Sequence, residues 1–157
     1  MRYFLLDQVT ELAIGERACG IKCVTLSDEI LHDHFPDFPT HPGAMIVEGA
    51  AQLAGFLVEM SFNTPENLRR ALLTQIELAR FHERAVPGAR VEFSVKLLSF
   101  RDPSAQLQFE ARVDERRIAR GMLMFMLQAV NSERLHEQRR MLYRQWMREF
   151  PVAYPVY

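Results

Sequence analysis

The chain has 157 residues, is 48% hydrophobic and 25% charged, and carries a formal net charge of -1 at neutral pH. This length suits one domain with its own core, and the composition is that of a globular protein rather than a disordered, collagen-like or membrane chain. A charge so near zero supplies no basic field to hold nucleic acid by counterion release, so nucleic acid is not expected as a partner.

Met1 to Leu6 holds one arginine and an apolar run too short for a secretory leader, and cytoplasmic residence is the expectation. Ala18 to Leu26 has strand character. It contains the only two cysteines, Cys19 and Cys23, with no second cluster to complete a zinc tetrahedron. They read as reduced thiols, and neither a metal nor a cofactor is called for. His41-Pro42-Gly43 marks a helix start, because proline suits the first turn, where a backbone N–H has no partner. The helix runs from Ala44 to Met60 and ends near Ser61 to Pro65. It approaches the roughly 20 residues that cross a membrane. Glu48, Gln52 and Glu59 interrupt it, which favours a buried central helix of a soluble domain.

Beyond the helix, Ala71 to Phe81 reads as a strand. Val91, Phe93, Val95 and Leu97 then alternate with polar residues, as do Leu107, Phe109, Ala111 and Val113, and Ile118 to Ala129 is almost wholly apolar. Turns at Pro87-Gly88, Arg101 to Ser104 and Asp114 to Arg116 join them into an antiparallel meander. Met122, Met124 and Met126 alternate with Leu123, Phe125 and Leu127. They form either a two-faced core strand or a flexible wall for an apolar chain. From Ser132 to Phe150 the spacing of Leu135, Leu142, Trp146 and Phe150 among Arg139, Arg140, Arg144 and Arg148 predicts an amphipathic helix. Two prolines stop it, and the aromatics of 151–157 are expected to dock on a surface. A long helix followed by an antiparallel sheet is an α+β arrangement, with residues 1–131 as the domain and 132–157 as its helical extension and tail.

The chemistry concentrates between His34 and Gln52. Glu48 lies in the apolar helix, where an unpaired carboxylate is costly, so it must be hydrogen-bonded, paired or partly protonated. Gln52 is one turn on, on the same face, and can hold the Glu48 carboxyl. Both residues could instead merely satisfy neighbouring backbone. His34 sits on a loop stiffened by Pro36, Pro39 and Pro42. Gly43 opens the helix, whose first N–H groups are unsatisfied donors for a developing oxyanion. His32, His41, His82 and His136 read as structural.

His34-Phe35-Pro36, Pro39, Pro42-Gly43, Glu48 and Gln52 match, in register, the signature of the 3-hydroxyacyl-[acyl-carrier-protein] dehydratase family, which the chain resembles over roughly residues 15 to 130. Phe81 with Val86-Pro87-Gly88 is a weaker second echo. The resemblance implies the hot-dog fold, a long helix wrapped by an antiparallel sheet. It also implies His34 and Glu48 as catalytic residues, Gly43 and Gln52 as oxyanion and substrate-binding residues, and an acyl carrier protein as the partner that brings the substrate. In that family the His and Glu of one site come from two subunits, so a homodimer or a trimer of dimers is implied, and a heterodimer with a related subunit is an alternative. Asp37 stands where the family usually has Gly, and His41 where it has a hydrophobic residue such as Met. These departures, and the unmatched region from Ser132, bear on the acyl substrate and hint at a specialised pigment, polyene or polyketide branch.

Dehydration needs a base at C2, an acid at the C3 hydroxyl and a donor at the thioester carbonyl. His34, Glu48 and Gly43 N–H fill these roles in that order. Two other readings are a hot-dog acyl thioesterase using the helix carboxylate, and a non-catalytic partner subunit of a heteromeric dehydratase. The Arg69-Arg70, Arg116-Arg117 and Arg139-Arg140 pairs read as solvated charge, one of which could dock an acidic carrier.

Overall fold

Alternation along the chain becomes alternation of burial. Val91, Phe93 and Val95 are sealed in the core, while Glu92, Ser94 and Lys96 face water. A computed structural model describes residues 3–157. In chain order it holds β1 Gln8–Ala13, β2 Arg17–Cys23, a short 3-10 turn Glu29–Leu31, α1 Gly43–Phe62, β3 Arg69–Phe81, β4 Arg90–Arg101, β5 Ser104–Val113, β6 Arg116–Ala129 and α2 Glu133–Trp146. The six strands form one sheet in the order β1-β2-β4-β5-β6-β3, and every pairing is antiparallel.

The meander expected from the sequence is β4-β5-β6. β3 crosses to the far side of β6, and β1-β2 adds to β4. The sheet wraps α1. Ile46, Ala50, Leu53, Phe56, Leu57 and Val58 of the helix meet Phe93, Leu107, Phe109, Leu123 and Phe125 in one core. α1 is long and apolar enough to cross a membrane, but most of it is covered by the chain itself. The α+β architecture, a long helix wrapped by an antiparallel sheet with a C-terminal helix, is therefore the one expected.

Several elements depart from the sequence reading. β1 is an additional strand. Its two core residues, Val9 and Leu12, are three apart because the ladder shifts register between Val9 and Glu11, which erases the period-two signal. β2 stops at Cys23, and Leu26 beyond it is exposed. Leu123, Phe125 and Leu127 face the core, whereas Met122 and Met124 are half-buried and Met126 exposed on the opposite face, away from α1. Arg70 is not surface charge. It is 2% exposed and bonded to the equally buried Glu59 of α1.

α2 ends at Trp146, short of Phe150, and its buried residues are His136, Tyr143 and Trp146. Leu135, Leu142 and Phe150 are only half-buried. The polar His136 and Tyr143 go inward because partners wait there. Arg70 Nη2 donates to His136 Nδ1 at 2.6 Å, His136 Nε2 donates to Val130 O at 2.8 Å, and Tyr143 OH donates to Glu59 Oε2 at 2.8 Å. His136 is structural, as read. The tail docks as expected on β1, where Tyr154 OH donates to Leu12 O at 3.3 Å.

Candidate active site

The loop before α1 closes on itself. Phe35 N donates to Phe38 O at 3.1 Å, Phe38 N to Phe35 O at 2.9 Å, and Thr40 N to His34 O at 2.8 Å. Asp37, where the resembling family has Gly, takes a left-handed φ of 60°, a conformation that Asp accepts more readily than most side chains. The Arg84 guanidinium lies 3.8 Å over the Phe38 ring and covers the loop.

Within this loop the half-buried His34 ring has Nδ1 2.8 Å from Thr40 O. A carbonyl only accepts, so Nδ1 carries a proton, and in the neutral ring the lone pair is on Nε2. The loop therefore selects the tautomer a general base needs. Thr40 is a site residue that sequence reasoning missed, since its contribution is a backbone carbonyl and leaves no side-chain signal.

On the helix, Glu48 is half-buried and its Oε1 accepts from Gln52 Nε2 at 3.0 Å. The Gln52 amide is itself fixed on three sides, since its Oε1 accepts from Leu5 N at 3.0 Å and its Nε2 also donates to Tyr3 O at 3.0 Å. Among the described residues no donor reaches Oε2 of Glu48. Tyr3 is a second missed neighbour. Loss of water around its phenol, and then the Glu48 carboxylate, push it above the ordinary 10.0.

Gly43 is the first residue of α1, and the cap Pro42 offers no side-chain acceptor. Hydrogen bonding within the first turn begins with Met45 N to Pro42 O at 2.9 Å, so Gly43 N–H precedes the bonded ladder. A side chain there would strike the Phe81 ring, whose Cε1 stands 2.8 Å from the position of a Cβ. Close seating of Phe81 on the helix start is the physical reason for glycine at this position.

His41 is 3% exposed, and its N–H donates to Ala85 O at 2.8 Å. Burial first, and then the positive charge of Lys22 and His34, hold its ring below the ordinary 6.5 against an opposing pull from Asp28. With Tyr3, Leu5, Met45, Lys22 and Asp28 it lines a cleft of about 460 Å³. Among the described residues no hydrogen bond joins His34 to Glu48; each is oriented by its own partner.

A family model described as the FabA-like domain matches residues 1–122. The chain belongs to the FabA-like family. It is 34% identical over 125 residues to the 3-hydroxyacyl-[acyl-carrier-protein] dehydratase FabZ of Bacillus licheniformis, an alignment spanning 80% of this chain and 85% of that one. The protein of the same name from Clostridioides difficile is also 34% identical, over 80% of this chain and 87% of its own length. Among solved structures, the chain resembles smu.793 of Streptococcus mutans bound to acetyl CoA, with a TM-score of 0.65, 14% identity and coverage of 84% and 96% of the two chains. It also resembles a hot-dog-like protein from Thermanaerovibrio acidaminovorans, with a TM-score of 0.60, 20% identity and coverage of 90% and 96%. The dehydratase heterocomplex ApeI:P of Xenorhabdus doucetiae gives a TM-score of 0.60 at 17% identity, covering 80% of this chain and 99% of that one. These structural likenesses establish the hot-dog fold of this FabA-like chain.

Proposed function

We propose that this FabA-like protein is an enzyme that removes water from a 3-hydroxyacyl thioester carried on acyl carrier protein, leaving the trans-2-enoyl thioester. The observation that carries the reading is the oriented pair: His34 with Nδ1–H committed to Thr40 O, and Glu48 with Oε1 committed to Gln52. His34 Nε2 takes the C2 proton, the C2 electron pair forms the C2–C3 double bond, and the C3–O bond breaks. The leaving hydroxyl departs as water with a proton from Glu48 Oε2. Gly43 N–H at the open helix start donates to the thioester oxygen, where charge builds up. The relatives' names, which carry this activity and this carrier, support the same chemistry.

The absence of any His34–Glu48 bond among the described residues supports a site shared between two copies. β3 supports it further. Among the described residues it is a 13-residue edge strand bonded to β6 alone, with Leu72, Leu73, Ile76 and Phe81 between 39% and 52% exposed. A long apolar edge is a template for another strand, and pairing β3 with its copy about a two-fold axis continues the sheet. In this reading the protein is a cytoplasmic homodimer, residues 1–131 are the catalytic domain and residues 132–157 its extension. Of the arginine pairs proposed for carrier docking, Arg69-Arg70 drops out, because both side chains are largely covered by the fold, Arg70 against Glu59 and Arg69 beside Asp102.

Enoyl product formed from a 3-hydroxyacyl carrier substrate is the test. His34→Ala and Glu48→Gln should each lose roughly 10²- to 10⁴-fold in turnover while remaining folded. Full turnover in either variant, or release of free carrier thiol without enoyl product, overturns the assignment.

A further inference from the structure

α2 lies beyond residues 1–122, the part that matches the family model, yet it grips the segment that fixes Glu48. The sheet holds the chain as far as Asp7, whose N–H donates to Ile21 O at 2.8 Å. Ahead of Asp7 the contacts change character. Trp146 Nε1–H donates to Leu6 O at 3.0 Å across 140 residues of sequence. The next residue outward, Leu5, gives its N–H to Gln52, and Tyr3 O takes a hydrogen from the same amide, whose other hydrogen goes to Glu48 Oε1.

Each link is tight. Trp146 is 2% exposed, stacked on Tyr143 at 5.7 Å and edge-on to Phe56 at 6.0 Å. Arg148 adds a second hold, with Nη1 donating to Asp7 O at 3.2 Å. Where the segment crosses α1, Gly49 lets it in: a Cβ there would stand 2.9 Å from Leu5 O. Gly49 follows Glu48 directly, so the backbone of this segment reaches α1 next to the catalytic carboxyl.

We infer that Trp146 is a positioning residue for Glu48. α2 clamps Leu6, Leu6 fixes the backbone from Tyr3 to Leu5, that backbone sets the Gln52 amide, and the amide sets the carboxyl. The inference rests on the catalytic role proposed for Glu48. The Gln52 amide has one orientation only because an N–H on one side and a carbonyl on the other dictate it. If the segment drifts, the amide is free to turn and the carboxyl loses its fixed rotamer, a loss felt in the proton-transfer step. The expected signature is a loss in turnover rather than in substrate binding.

The experiment is steady-state kinetics of the full chain on a 3-hydroxyacyl carrier substrate. Trp146→Phe keeps an aromatic ring and removes the N–H. It should lower kcat by about 10-fold, since small misplacement of a catalytic group is costly, and leave KM within about 2-fold. Gln52→Ala should do the same. The double variant should fall no further than the worse single variant, because both break one relay. Glu137→Ala, which changes only an exposed side chain of α2, should keep the parent kcat. Wild-type kcat in folded Trp146→Phe, or losses that multiply in the double variant, would overturn the proposal. Should Trp146→Phe not fold, Arg148→Ala carries the same test, with a fall of about 2- to 3-fold expected and an unchanged kcat overturning it. Glu48→Gln separates the two levels: if it is fully active the catalytic reading fails, and if it is inactive while Trp146→Phe is normal only the brace fails.

Discussion

Glu48 and Glu59 stand on one helix, three turns apart and so on nearly the same stripe, yet their surroundings make them opposites. Glu48 is half-buried, and among the described residues its side-chain donor is the neutral Gln52 amide on Oε1, with none on Oε2. Glu59 is 3% exposed and bonded on both oxygens: Oε2 takes Arg70 Nη1 at 2.7 Å and Tyr143 OH at 2.8 Å, and Oε1 takes Ala71 N at 3.0 Å. A carboxylate saturated by a guanidinium, a phenol and an amide has no reason to move a proton. In the proposed reaction, the one held by a neutral amide does. Residue type and helix position do not separate the two; the partners that the fold brings to each end do.

The largest expected effect breaks the comparison at the open end. Glu48→Gln should cost roughly 10²- to 10⁴-fold in turnover and shift the urea midpoint little, because Gln52 can also bond an amide. At the closed end the outcome inverts. Glu59→Ala leaves Arg70 buried without its partner and should destabilise the fold by about 3–5 kcal/mol, read from urea unfolding, while molecules that fold keep their kcat. Tyr143→Phe is a smaller version, removing one hydrogen bond to a charged group for about 1.5–3 kcal/mol.

Titration sharpens the same contrast. Burial first, and then the Glu59 charge, raise the Tyr143 phenol well above the ordinary 10.0. The native state therefore favours the protonated phenol. That contribution is fully present below pH 10 and is lost as pH rises through the native pKa. Unfolding measured above pH 10 should show stability falling with a slope that Tyr143→Phe lacks. His41 gives the smallest effect and the opposite sign. Its lowered native pKa contributes stability above the ordinary 6.5, and this is lost on acidification through the native value. His41→Met should flatten that acid slope.

What was legible in the sequence follows from how local each feature is. α1 announces itself by a long apolar run behind Pro42-Gly43, β4 and β5 by apolar residues at every second position, and β6 by the length of its apolar run. β1 does not, because a register shift puts Val9 and Leu12 out of phase. The candidate site from His34 to Gln52 could be proposed from the sequence because one loop and the helix it feeds hold the whole motif. Its supports were not. Gln52 is fixed by backbone 47 and 49 residues away, and His34 by a carbonyl. The Glu59 cluster was hidden for the same reason. Arg70 reads as surface charge, His136 as structural, and Tyr143 carries no signal of its own until the fold gathers them, with Tyr143 84 residues from Glu59. An arginine pair in sequence cannot reveal that one member points out and the other in.

The central claim is that His34 and Glu48 act together from two copies of the chain, and co-expression tests it most directly. His34→Ala and Glu48→Gln chains, each inactive alone, should form mixed dimers in which one of the two sites is intact. At equal expression this restores about one quarter of the wild-type turnover for a two-fold symmetric dimer. A co-purified mixture as inactive as its components, beside active wild-type protein, would contradict the shared site.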